Sequence, residues 1–212
     1  PSATTSYAID IEGTMPDSGQ VRVAIVDQVT VSASVDTSLT FTVAGVNAGL
    51  TVNGTATTSA TSTNLTAPFG TLPIGVSRIV AHDLAVTTNA AAGYTVTVVQ
   101  TGALQSTTGA IIDGFVDGSN TNAPTAWAAP TAVLADAATY GHWGLTSDDA
   151  TITARIGNQF SANTWVSPST TPIAVLGHTG PSDGTTAGSG AARVGYRAEI
   201  SALQEAGDDY TT

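Results

Sequence analysis

The residues best suited to nucleophilic chemistry lie in the run GPSDG at positions 180–184, which matches the motif G-x-S-x-G around Ser182. In that motif the serine sits at a sharp turn from a strand into a helix, and backbone N–H groups beside the turn stabilise an oxyanion. An apolar run at residues 173–176 can supply the strand, but residues 185–190 are typical of a loop. We therefore interpret the match as a coincidence and predict that the protein is not an enzyme.

Side-chain oxygens offer a second kind of chemistry, the binding of a hard cation. Asp113, Asp117 and Asn120 lie within one short stretch, and Ca²⁺ binds about six to eight oxygen ligands. The spacing does not match the EF-hand loop, and Asp and Asn are also ordinary residues of turns. No histidine has a partner at metal-ligand spacing. We expect no cofactor, with calcium at these three residues as the alternative.

Four aromatic residues are candidates for binding sugars or neighbouring proteins. They are Trp127, Tyr140, Trp143 and Trp165, and they lie in loop-like sequence. An aromatic ring can anchor a protein interface or stack on a sugar, but aromatic residues are also large contributors to a buried core. The sequence leaves glycan binding, subunit contact and core packing open for all four.

Two asparagines are candidate sites of covalent modification. Asn53 begins the triplet Asn-Gly-Thr and Asn64 begins Asn-Leu-Thr, and both are N-glycosylation sequences. Because such triplets arise readily in a Thr-rich chain, they matter only if the source organism glycosylates its surface proteins.

The composition indicates a protein that works outside the cell. The 212 residues include no cysteine and no lysine, and five arginines against sixteen acids give a net charge of −11. An acidic surface repels phosphate backbones and anionic lipids, so nucleic acid is not an expected partner. No apolar run is long enough to span a membrane. The chain starts with Pro1 rather than Met, so we expect a signal segment that was removed or lies outside the given sequence. We predict a secreted or cell-surface protein.

Alternation of apolar and polar residues recurs along the chain and predicts strands. The clearest alternating runs are residues 7–11, 21–25, 29–35, 39–43, 94–98 and 194–200. Each of them is expected to have one buried and one solvated face. Residues 77–87 are rich in Val and Thr and favour a strand over a helix. We predict an all-β antiparallel β-sandwich, immunoglobulin-like or jelly-roll, with long Gly/Ala/Thr-rich loops between residues 103 and 190.

The two ends of the chain suggest exchange of a strand between copies. Residues 1–12 form an N-terminal arm, and residues 13–212 are expected to form a single β-sandwich domain. Tyr7, Ile9 and Ile11 are the apolar contacts of a donor strand. Residues 206–212 are predicted to enter a strand that ends almost at once, which leaves an edge for another chain to pair with. Alternatively, residues 1–12 pair within their own subunit, or the chain continues beyond residue 212.

Three blocks of the sequence resemble a known family. The runs VTVSASVDTSLTFTVAGV, TNAAAGYTVTV and VGYRAEISALQEAGDDYTT are similar to bacterial extracellular β-sandwich surface proteins, including the spore-coat-U-like pilus subunits. The chain departs from those subunits in having no cysteines to form their disulfide. The resemblance implies an immunoglobulin-like or jelly-roll fold and a role in a filament or coat, and it implies no catalytic residues.

These observations lead to one main prediction and one alternative. The main prediction is a self-assembling structural subunit of an extracellular filament, pilus-like fibre or surface layer, whose partners are copies of itself held by β-strand pairing. The alternative is a carbohydrate-binding or adhesive surface module that uses the Trp-bearing loops to bind surface glycans.

Overall fold

The computed structural model describes residues 6–14, 16, 18–24, 31–54, 56–118, 122–155, 157–207 and 210–212. Across these residues the protein is nearly all β, with 41% in strands and no α-helix. Two single turns of 3₁₀ helix are present, Ala137–Thr139 and Thr153–Arg155. The prediction of an all-β protein is therefore confirmed.

Fifteen strands are found among the described residues. Their bounds are β1 Ser6–Ile11, β2 Gly19–Ala24, β3 Leu39–Gly45, β4 Thr51–Val52, β5 Ala56–Thr57, β6 Arg78–Thr88, β7 Tyr94–Val98, β8 Leu104–Gln105, β9 Ile111–Gly114, β10 Thr125–Ala126, β11 Gly141–Ser147, β12 Thr164–Trp165, β13 Ile173–His178, β14 Ser182–Asp183 and β15 Ala191–Ile200. The chain divides into two compact units, Pro1–Asp36 and Thr37–Thr212. The division falls after residue 36, whereas the sequence suggested an arm that ends at residue 12.

The first unit contains an antiparallel hairpin of β1 and β2, in register from Ser6 opposite Ala24 to Ile11 opposite Gly19. Strand β1 therefore pairs with β2 within its own chain, which is the alternative that the sequence left open for residues 1–12. The run predicted as a strand at residues 29–35 is wrong over its described part, since residues 31–38 have no regular structure. Val31 and Val35 are 88% and 84% exposed, and no strand in the described part of the chain pairs with them, so alternation alone did not produce a strand there.

The second unit is built on a seven-stranded sheet in the order β14–β6–β15–β11–β9–β8, with β3 also paired to β6. Most pairs are antiparallel, but β9 and β11 are parallel. The sheet is therefore mixed, which corrects the prediction of a purely antiparallel one. The sheets are partly curled and resemble half a barrel.

Strands β11 and β15 lie in the middle of this sheet and are covered on both faces. Every residue of β11 is buried, and β15 has no exposed residue. The predicted solvated face of β15 is therefore wrong. Its charged side chains are paired with neighbouring groups: Arg193 Nε and Nη2 donate to the carboxylate of Asp83 on the adjacent strand β6 at 2.6 and 2.9 Å. Glycine is needed at position 195 for Val52 to pack against β15, because a Cβ there would lie 2.4 Å from Val52 Cγ1.

One face of the large sheet forms the main core with a two-stranded sheet of β7 and β13. Leu84, Leu145 and Val194 from the large sheet are buried with Val175 and Leu176 from β13. The turn before β7 requires glycine, since Gly93 has φ of 73° and a Cβ would lie 1.8 Å from the His178 carbonyl oxygen. The opposite face is covered by a second cluster that includes Trp165.

The C-terminal tail makes only a minimal contribution to the sheet. Thr211 forms a single antiparallel bridge with Gln105 of β8, with backbone hydrogen bonds of 3.0 and 3.1 Å. The short terminal strand expected from residues 206–212 therefore consists of this one bridge among the residues that the structure describes.

Candidate functional site

The hairpin of β1 and β2 carries an apolar face. Its register places Tyr7 opposite Val23 and Ile9 opposite Val21, and Ile11 lies on the same face because side chains alternate along a strand. The opposite face is polar. There Gln20 Nε2 donates to Asp10 Oδ1 at 2.7 Å, and Arg22 Nη1 lies 3.5 Å from Ser6 Oγ. We call the set Tyr7, Ile9, Ile11, Val21 and Val23 the hairpin face.

The hairpin face is accessible to solvent. Ile9 and Ile11 are 53% and 58% exposed, and Val21 and Val23 are 49% and 44% exposed. A two-stranded hairpin is marginally stable in water without a further layer. A contiguous exposed apolar surface is also a common mark of an interaction site. The hairpin face is therefore the strongest candidate for a binding surface in the first unit.

Strand β3 presents a second accessible apolar surface, in the second unit. Leu39 and Phe41 are 60% and 46% exposed, although Val43 on the same face packs against the main core. Strand β3 pairs with β6 on one edge, and no described strand pairs with its outer edge. Residues 37–77 contain no charged side chain, in a chain whose net charge is −11. This uncharged stretch is the sequence signal that points to the surface of β3, which the alternation pattern alone did not indicate.

Two of the candidate aromatic residues lie in a packed cluster. Phe115 and Trp127 stack with ring centroids 5.1 Å apart, and Trp127 meets Trp165 edge-on at 5.8 Å. The Arg197 guanidinium lies 4.5 Å from the Trp127 ring centroid, and Trp127 Nε1 donates to Glu199 Oε2 at 2.8 Å. Burial lowers the pKa of Arg197. Trp165 is 1% exposed, so its ring has no free face for a sugar.

The other two candidate aromatic residues, Tyr140 and Trp143, do not belong to this cluster and have different surroundings. Tyr140 Oη accepts a hydrogen bond from the Ala135 N–H at 2.9 Å, next to a 3₁₀ turn. Trp143 is 7% exposed and forms part of the wall of a cavity of about 1190 Å³. The other apolar and aromatic residues of this wall include Phe69, Leu72, Leu104, Ile112, Ile200 and Tyr210. Trp143 is thus the candidate aromatic that borders a space large enough for a ligand.

The candidate calcium ligands are only partly described. Asp117 Oδ1 lies 3.2 Å from His142 Nε2, and His142 Nδ1 donates to the Ala128 carbonyl oxygen at 2.9 Å. Burial raises the pKa of Asp113. Asn120 lies outside the described residues. Among the residues that are described, no group of three or more His, Asp or Glu side chains is placed to hold a metal.

Ser182 lies in β14 and not in a strand-to-helix turn. Its hydroxyl donates to the Val86 carbonyl oxygen across the sheet. The residues that follow, 184–190, are described in full and contain no helix. The geometry that G-x-S-x-G requires is therefore not present at this serine.

The two sequons have different environments. Asn53 has φ of 38°, and its Nδ2 donates to Thr146 Oγ1 at 2.7 Å and to the Ser161 carbonyl oxygen at 2.8 Å. Its amide is thus held inside a hydrogen-bond network. Asn64 is exposed in a turn where the Thr63 Oγ1 accepts from the Thr66 N–H at 3.1 Å. Asn64 is therefore the accessible one of the two.

Comparison with known proteins gives no relative: no family model, no curated protein and no solved structure matches the chain. Within the described part of the chain there is no helix with the length and apolar character needed to cross a membrane.

Proposed function

We propose that this protein is a self-assembling structural subunit of an extracellular filament, pilus-like fibre or surface layer. The observation that carries the proposal is the hairpin face, which places five apolar side chains on one side of a two-stranded hairpin, four of them between 44% and 58% exposed. Copies associate when this face is buried and when strand edges pair between chains. Strand pairing gives affinity through backbone hydrogen bonds, and apolar side chains fix the register.

Burial of the hairpin face supplies the driving force. Each large aliphatic side chain that becomes buried contributes about 1.5–3 kcal/mol before the costs of association are subtracted. Ile9 and Ile11 are both more than half exposed, so each has most of this contribution still to gain. The absence of charged side chains from the hairpin face matters as well, because copies that each carry a net charge of −11 repel one another.

The proposed fold is a β-sandwich, immunoglobulin-like or jelly-roll, in the second unit. Its support is the core shared by β7 and β13 with the large sheet. A two-stranded layer cannot cover every strand of the sheet that it faces, since strands are about 4.8 Å apart. The accessible Leu39 and Phe41 agree with an incompletely covered sheet. The resemblance to bacterial surface and pilus subunits, and the secreted location, belong to the same proposal.

The experiment is electron microscopy and size-exclusion chromatography of the full chain as wild type, Ile9→Asp and Ala8→Asp. Ile9→Asp buries a charge in the proposed contact, so we expect ordered assemblies to be replaced by monomers. Ala8→Asp is the matched control, because it adds the same charge to the polar face of the same strand, opposite Arg22. We expect Ala8→Asp to assemble as the wild type does. Equal assembly of Ile9→Asp and Ala8→Asp, or a wild type that stays monomeric at all concentrations, would refute the proposal.

A second candidate function is carbohydrate binding or adhesion, and the cavity beside Trp143 favours it. Aromatic residues around a concave site are suited to the apolar faces of sugars. The test is a glycan-binding screen of the wild type followed by tryptophan fluorescence titration with any sugar that binds. Trp143→Phe keeps a ring in the cavity wall, and a sugar that binds there should lose affinity in this variant. A wild type that binds no glycan removes this candidate.

A further inference from the structure

The outer edge of β3 presents a regular row of backbone groups that no strand among the described residues pairs with. The Val86 N–H donates to the Gly190 carbonyl oxygen at 2.8 Å, on the side of β6 that faces away from β3. Val86 lies opposite Phe41. In an antiparallel pair, two opposite residues either bond to each other or both direct their N–H and C=O groups away. Phe41 therefore directs its N–H and C=O groups to the outer edge, and Leu39 and Val43 do so as well because the pattern repeats every second residue.

This edge lacks the usual protection against pairing. Natural edge strands are commonly blocked by Lys, by Pro, by a bulge or by an inward-pointing charge. The sequence of β3, LTFTVAG, contains no charged residue and no proline. Its pairing with β6 continues without interruption from Leu39 to Gly45. An uninterrupted, uncharged edge of seven residues is a template for another strand.

We infer that the outer edge of β3 accepts the hairpin of a second copy of this chain, by addition of β1 beside β3. The inference rests on the proposed function and names the acceptor surface for the donor hairpin. Both strands alternate with a period of two, so one register can align the hairpin face with Leu39 and Phe41. Pairing of β1 with β3 would extend the large sheet on the face where Val43 packs against the main core.

Charge favours this acceptor over other surfaces of the second unit. Every acidic residue of that unit lies at residue 83 or beyond, while residues 37–77 are free of charge. A hairpin that itself carries Asp10 and Glu12 meets the least repulsion at an uncharged edge. The occupant that competes with a second copy is the hairpin of the same chain, because residues 25–38 can span roughly 45 Å when extended.

The experiment uses full-length variants that each lose one half of the contact. Ile9→Asp disables the donor hairpin. Phe41→Pro removes an outward N–H and leaves the hydrogen bonds to β6 in place, and Phe41→Val is its matched control because it shortens the side chain but keeps that N–H. Phe41→Lys is a second acceptor variant that keeps every backbone donor. Circular dichroism and thermal unfolding establish which variants fold. Sedimentation velocity then gives the mass of each variant alone and of an equimolar mixture of Ile9→Asp with a folded acceptor variant.

We expect Phe41→Pro and Phe41→Lys to be monomers, Phe41→Val to assemble, and the mixture to form a complex of twice the monomer mass. The mixture forms a dimer because one intact hairpin meets one intact edge. A mixture that stays monomeric overturns pairing between copies through this edge. Assembly of both acceptor variants at the level of Phe41→Val overturns β3 as the acceptor, while loss of assembly in Ile9→Asp would still support the proposed function. Assembly of Ile9→Asp contradicts the proposed function itself.

Discussion

The hairpin of β1 and β2 and the pair of β11 and β15 are both antiparallel, yet they differ completely in burial. Every residue of β11 is buried, whereas β1 and β2 contain no buried residue. The difference does not come from hydrophobicity, because β1 carries Tyr and two Ile residues while β11 contains two Gly and a His. Burial follows from the layers that each pair meets: β11 and β15 have strands at both edges and cover on both faces. A strand that is apolar enough for a core but lies outside one is the feature that suggests assembly.

The largest predicted effect on the free energy of unfolding is for a buried side chain of the second unit. Trp165→Ala should lower the free energy of unfolding by about 3–5 kcal/mol, because it removes a large ring that is 1% exposed and packed against Trp127. Ile9→Ala, on a half-exposed hairpin, should change the stability of the monomer by less than about 0.5 kcal/mol. Urea unfolding at low protein concentration measures both. A comparable loss in the two variants would mean that the hairpin face is already buried in the monomer.

Asn53 and Asn64 allow the same substitution to be compared at a hydrogen-bonded position and at an exposed one. Asn53→Ala removes the donor to Thr146 and Ser161 and places Ala at φ of 38°, so we expect a loss of about 1–3 kcal/mol. Asn64→Ala should lie within about 0.5 kcal/mol of the wild type, because Asn64 is exposed. Thermal unfolding of the two variants side by side is the measurement. Equal melting temperatures would show that the hydrogen bonds of Asn53 contribute nothing.

The smallest predicted effects are on the pH dependence of stability, and they have opposite signs at the carboxylates of Asp148 and Asp183. Burial raises the pKa of Asp148 above its ordinary value of 3.8, so its contribution to stability is present below that value and is lost as the pH rises through the raised pKa. Hydrogen bonds from the Thr186 side chain and from backbone N–H groups lower the pKa of Asp183, so its contribution is present above 3.8 and is lost as the pH falls.

Asp148→Asn should therefore raise the urea midpoint at pH 7, and Asp183→Asn should lower it. Both differences should shrink as the pH falls from 7 to 3, because Asp148 then takes up a proton in the folded protein and Asp183 takes one up first in the unfolded chain. Two variants that shift in the same direction at pH 7 would contradict these assignments.

Local patterns predicted six of the fifteen described strands, β1, β2, β3, β6, β7 and β15, but not how the strands pair or which of their faces are covered. Residues 94–98 and 39–43 form strands as their alternation indicates, and each has a neighbour to pair with. Val31 and Val35 follow the same pattern without a described strand as partner and lie in irregular, exposed chain. Pairing depends on residues distant in sequence, so alternation alone cannot supply it. Strand β11 escaped prediction because Gly141 and Gly144 interrupt its pattern. Gly144 is needed there, since a Cβ would lie 3.0 Å from the Val166 carbonyl oxygen.

The candidate interface was predictable in part. The alternation of Tyr7, Ile9 and Ile11 indicated an apolar strand face, and Val21 and Val23 showed the same pattern after a turn. That the two runs share one face of a hairpin depends on their register, which the sequence did not specify. Whether the face is covered depends on the layers of the whole fold. Trp165 illustrates the converse, because its loop-like sequence gave no sign that it is almost fully buried.

Hydrogen exchange as a function of protein concentration tests the central claim most directly. Amides of a hairpin that is marginal by itself exchange fast, and amides of a core strand exchange slowly. If the hairpin face mediates assembly, protection of Ser6–Ile11 and Gly19–Ala24 should rise steeply with concentration, while protection of β11 and β15 stays the same. Hairpin amides that exchange at one rate from the lowest to the highest concentration would contradict assembly through this hairpin.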